Sequence, residues 1–191
     1  MKIHPLVWQS GFLTGGLIAA LYLLCYLFRL EWVLSPGLQV AHWSVAVVGT
    51  VLGLRGIRAE ESGFESRGQI WRNAVLILLT AGFVLLFLQI LVHEALDPTM
   101  RDALAEMQWE QMQEFLGAFG NLPISEELMQ ESLRSAWSWG GLVQGFFVGA
   151  LGWMAVAFIL SRFISLGKSL PPRLPDDSTP VEKFHDADMF R

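Results

Sequence analysis

The chain has little with which to do conventional soluble chemistry. It holds a single cysteine, Cys25, and that residue lies inside an apolar block, so neither a disulfide framework nor a cysteine-based zinc site can be assembled from this chain alone. Charged residues make up only 16% of the sequence, and the thirteen Lys and Arg are scattered as short flanks. No basic patch is present, which argues against a nucleic-acid partner. No glycine-rich loop follows a strand pattern to cradle phosphate, and the serine, threonine and cysteine side chains lack a nearby base.

What is present is hydrocarbon. Of 191 residues 53% are hydrophobic, and they fall into four blocks, residues 6–28, 38–54, 74–92 and 139–160. A bilayer crossing takes about 20 helical residues at 1.5 Å each, so four crossings use about 80 and leave roughly 110 for everything else. The expected fold is therefore an all-α membrane protein of four transmembrane helices, occupying residues 1–166. Residues 94–136 form an acidic helical excursion between the third and fourth spans, and 167–191 a cytoplasmic tail too poor in apolar surface to fold. Phe184 and Phe190 are the tail's only aromatic anchors. The first block is too long for a signal-peptide core and has no small-residue cleavage site before Arg29, so it reads as an uncleaved span.

Direction follows from the flanking cations. With a cytoplasmic amino terminus the inner side carries Lys2, Arg55, Arg58, Arg67, Arg72, Arg162, Lys168 and Arg173, against Arg29, Arg101 and Arg134 outside. Both termini are thus expected in the cytoplasm, and the segment 94–136, with nine carboxylates against Arg101 and Arg134, outside it. Tryptophans 8, 32, 71, 137 and 139 fall near span ends, at headgroup level, whereas Trp43 and Trp153 are expected between helices. The inner loop from Arg55 to Arg72 reads either as a solvated turn or as a surface segment with Phe64 and Trp71 dipping into lipid.

Helices in lipid approach closely only where side chains are small. Gly11 and Gly15 in the first span, Gly49 and Gly53 in the second, and Gly141, Gly145 and Gly149 in the fourth supply such faces, for packing within the bundle or for docking another protein. The span centres hold no Asp, Glu, Lys or Arg, which argues against a proton relay or an ion-coupled pump. Gln89 and Gln144 are expected to form hydrogen bonds between helices.

In the excursion, Asp97-Pro98 reads as an N-cap followed by proline at the first helical position. On the helical wheel Met100, Leu104, Met107, Met112, Phe115 and Leu116 share one side, while Asp102, Glu106, Glu110 and Glu114 form an outer acidic stripe on the other. A second helix starts at Ser125 and runs on into the fourth span, kinking at Gly140-Gly141. The one chemical cluster is His93, Glu94 and Asp97, with His42 approaching from the second span. It is a weak metal candidate, because only half of a two-histidine pattern is there and Asp97 already has a capping role. No cofactor and no catalytic residue is expected.

The order of these parts resembles a family of bacterial inner-membrane proteins described as domain of unknown function 4199. The likeness rests on four spans, Gly63-Phe64 before the third, Asp97-Pro98 just after it, and an acidic excursion that returns through Pro123 into a glycine-rich fourth span; it covers roughly residues 6–165. The resemblance implies an inner-membrane location and no known activity. The functional expectation is a non-enzymatic accessory or scaffolding subunit, with the bilayer and other membrane subunits or further copies of itself as partners. The alternative is a small transporter or channel with an acidic outer vestibule.

Overall fold

A computed structural model describes residues 3–61, 64, 66–117 and 125–164. Among them there are helices and no strands. Helix α1 (Pro5–Phe28) leads through a short 3-10 turn (Leu30–Leu34) into α2 (Pro36–Glu60). Helix α3 (Arg67–Ile90) continues as a π-helical turn, Leu91–Leu96; α4 (Met100–Gly117), α5 (Glu126–Ala136) and α6 (Trp139–Phe163) follow. Four segments, α1, α2, α3 with its π turn, and α6, are long and apolar enough to cross a membrane. The tail with Phe184 and Phe190, the break around Pro123, and Gly63 lie outside the described residues.

Each span begins where a polar side chain takes an otherwise orphaned helical N–H. His4 Nδ1 accepts from Leu6, Ser35 from Leu38, Ser66 from Gln69 and Ser138 from Gly141. Pro5 and Pro36 occupy first-turn positions, where a missing N–H costs nothing. The helices outrun the apolar blocks of the sequence, because Arg55 and Arg58 stay on α2 and Arg67 and Arg72 open α3. The loop between them is consequently short. Phe64 plugs the core beside Val7, Leu54 and Ile57 instead of dipping into lipid. Arg67 donates to the carbonyls of Ser161 and Arg162 at 2.9 and 3.1 Å, closing the last turn of α6.

Helix α3 is the centre of the bundle, packed on α1, α2 and α6, while α1 also packs on α2. Glycine sets the spacing between these helices. A Cβ on Gly11 would stand 2.6 Å from Thr80 Cβ, and one on Gly15 would stand 2.8 Å from the Ala81 carbonyl. Gly49 abuts Thr14, and Gly53 abuts Ser10. Gly82 of α3 lies so close to the ring of Trp153 that no side chain fits there. The buried hydroxyls of Thr50 and Thr80 donate to carbonyls four residues back at 2.7 and 2.8 Å, so neither is left unpaired in hydrocarbon.

At one end, α4 and α5 form a cap that packs on the 3-10 turn and on the start of α6. Met100 and Leu104 of α4 join Tyr22, Val33 and Val92 in a second, smaller core. The inward face of α4 is Met100, Leu104, Ala105 and Trp109, rotated from the expected one: Met107 and Met112 are half-buried and Phe115 is exposed. Helix α5 does not run on into α6. The chain breaks at Trp137-Ser138, and Ser138 starts a new helix. Ser125 stands at the N-cap position of α5 but makes no side-chain capping bond.

Candidate functional site

The polar chemistry of the described residues gathers where the cap meets the spans. The chain's two tyrosines lie four residues apart on α1, and His93 and Asp97 lie four apart at the end of α3. Because α1 and α3 run parallel, the two sets meet rung by rung. The Tyr22 hydroxyl and His93 Nε2 are hydrogen-bonded at 2.8 Å, and the Tyr26 hydroxyl donates to Asp97 Oδ2 at 3.2 Å; each pair is 71 residues apart in sequence. The π turn ends between the rungs, with the Asp97 N–H donating to the Val92 carbonyl, five residues back, at 2.8 Å. Such widened turns concentrate at functional positions in helices.

His93 is fully buried, and among the described residues its Nδ1 has no hydrogen-bond partner. Its ring stacks on Trp137, with centroids 5.6 Å apart and planes 9° from parallel. The Trp137 indole N–H in turn donates to Gln108 Oε1 of α4 at 3.0 Å. One connected series of groups therefore joins α1, α3, the α5–α6 break and α4.

The three residues of the sequence-derived metal cluster point to different partners. Glu94 Oε1 accepts from the Trp139 backbone at 3.3 Å and faces Arg101 at 3.7 Å. Asp97 Oδ1 accepts from the Thr99 hydroxyl at 2.6 Å. Thr99 chiefly, then Tyr26 and the backbone N–H groups of Thr99 and Met100, hold the Asp97 carboxyl below its ordinary range against the opposing effect of burial. Asp97 thus caps α4, whose first helical residue is Met100 instead of Pro98. His42 lies elsewhere, lining a cavity of about 170 Å³ with Trp43, Leu78 and Trp153. Among the described residues no three of His, Cys, Asp and Glu converge as a ligand set.

The acidic stripe Asp102, Glu106, Glu110 and Glu114 is exposed along its whole length, with Asp102 facing Arg134 at 3.3 Å. The glycines of α6 divide into two kinds. Gly141 meets the carbonyls of Ser135 and Ala136 in the turn before its own helix, whereas Gly145 has nothing within 4 Å of a Cβ and Gly149 only Trp153 at 4.0 Å. Gln89 and Gln144 do not meet. Gln89 lines a cleft of about 360 Å³ between α3 and α6, and Gln144 a groove of about 770 Å³ between α5 and α6.

The sequence did not single out Tyr22, Tyr26 or Gln108, and it placed Trp137 only at headgroup level. The available signal was the matched four-residue spacing of Tyr22/Tyr26 and His93/Asp97 on two spans of the same direction.

The family model for Protein of unknown function (DUF4199) matches residues 9–166. The chain belongs to this family. The match takes in all four spans apart from the first turn of α1, together with the cap. No curated protein and no solved structure matches the chain significantly.

Proposed function

We propose that this DUF4199 protein is a non-enzymatic subunit of a larger assembly in the bacterial inner membrane, held with both termini in the cytoplasm and the cap outside. The observation that supports this is the state of α6. It packs on α3 and the end of α5, and beyond those contacts its surface leaves Val148, Leu151 and Ile159 exposed toward the membrane, with Gly145 open at the edge of the same surface, where a Cβ would meet nothing within 4 Å among the described residues. Small residues on an unpartnered span allow a second backbone to approach closely, which is what drives association where hydrophobicity cannot. Gln144 on the same face adds an amide able to bridge to a partner helix. The occupant that suits this face is a transmembrane helix of another protein.

Blue-native electrophoresis of membranes solubilised in mild detergent tests the reading. The protein should migrate well above 21.4 kDa plus its micelle. Val148→Trp, which changes an exposed residue of the α5–α6 groove, should release it to the monomer position. Migration of the wild type as a monomer overturns the proposal.

A further inference from the structure

The cleft between α3 and α6 is graded along the membrane normal. At the cap end it is bounded by Gln108 and Trp137, at mid-height by Gln89 and Gly145, and at its floor by Gly82 and Trp153. From Trp139 to Trp153 the helix descends about 20 Å, so the floor lies well inside hydrocarbon. Its volume of about 360 Å³ falls in the range, about 300–1,000 Å³, of small-molecule sites. Gly145 is exposed and leaves the wall open below the level of the interfacial tryptophans, at a depth an acyl chain can reach sideways from the bilayer.

The Gln89 amide makes no hydrogen bond to any described residue, although it sits on a span. An amide without a partner in hydrocarbon is costly. A ligand carrying an acceptor at this height and hydrocarbon below it would remove that cost.

We propose that this cleft seats one acyl chain of a single phospholipid, the chain running past Phe146 down to the floor at Gly82 and Trp153 and its ester carbonyl accepting from the Gln89 amide, while the rest of the lipid stays in the bilayer. The order of the lining, polar toward the cap and apolar toward the floor, is that of the lipid itself. Trp137 lies at the level where the glycerol region meets the rings of the interface. The cleft adjoins the groove on the outward side of α6 and shares Gly141 and Gly145 with it, whereas Val148 and Gln144 line the groove alone.

Native mass spectrometry of the full chain, purified in maltoside detergent and washed free of loosely held lipid, tests the assignment. The wild type should retain a single phospholipid. Gln89→Leu, which keeps the bulk and removes the amide, should lower occupancy about fivefold, the loss of one hydrogen bond. Gly145→Leu should abolish retention by filling the mouth, where a side chain meets no obstacle. Val148→Trp should retain the lipid even where it dissolves the larger assembly, so failure of one proposal is distinguishable from failure of the other. If Gly145→Leu does not fold, Gln89→Leu alone decides. A lipid-free wild type, retention of a different amphiphile, or equal occupancy in wild type and Gln89→Leu overturns the proposal.

Discussion

Tyr22 and His93 bury two polar groups at the junction of spans and cap, and each satisfies the other. Tyr22→Phe removes the hydroxyl and strands His93 Nε2, at a cost of about 1–3 kcal/mol. Thermal unfolding in detergent should show the loss as a lowered midpoint, and an unchanged midpoint would mean that the bond contributes nothing. Asp97 gives the molecule an acid response. Its carboxyl is held low in the folded state, so its contribution is complete above the ordinary aspartate range, near pH 4, and is lost as pH falls through the lowered value. Amide exchange in the first turn of α4 should rise over that acid interval, and Asp97→Asn should flatten the dependence. That Asp97 would accept from the backbone ahead of α4 was legible from Asp97-Pro98, although the helix begins at Met100 and not at Pro98 as that pair suggested. The bond of Asp97 to Tyr26 was not, because nothing local to either residue encodes the pairing of two distant spans.

At the scale of the helix, glycines that read alike in sequence divide by what stands opposite them. Gly15→Val places a branched side chain against the α3 backbone and should cost about 1–3 kcal/mol, while Gly145→Ala should shift the midpoint negligibly. A similar penalty at both positions would refute the difference in packing. The four spans were readable because apolar length is a one-dimensional property. The rotation of α4 was not, because its wheel offers a broad apolar side and only its packing on α5 and on the 3-10 turn decides that Trp109 is buried and Phe115 exposed. The break at Trp137-Ser138 likewise escaped the sequence, where glycine was the more conspicuous signal. Tertiary demand placed it earlier, where Trp137 can lie on His93 and Ser138 can cap α6. Removing that cap with Ser138→Ala should cost about 1 kcal/mol.

For the whole molecule, the proposed topology follows from the four candidate crossings among the described residues, whose even number corresponds to both ends on one side, and from the cation asymmetry of the flanks, which proposes the side. In a Cys25→Ser background, a cysteine at Glu110 should react with a membrane-impermeant maleimide in spheroplasts, and one at Ile3 should react only after lysis. The reverse pattern would invert the topology. The paired tyrosines also bear on how the bundle can move. Two bonds with one common offset fix the height of the third crossing relative to the first, and neither can be kept if one helix slides a turn past the other. A piston stroke along the bilayer normal would have to break both together before one tyrosine could meet the other's former partner a turn away, so sliding of the first crossing against the third is opposed by two bonds at once.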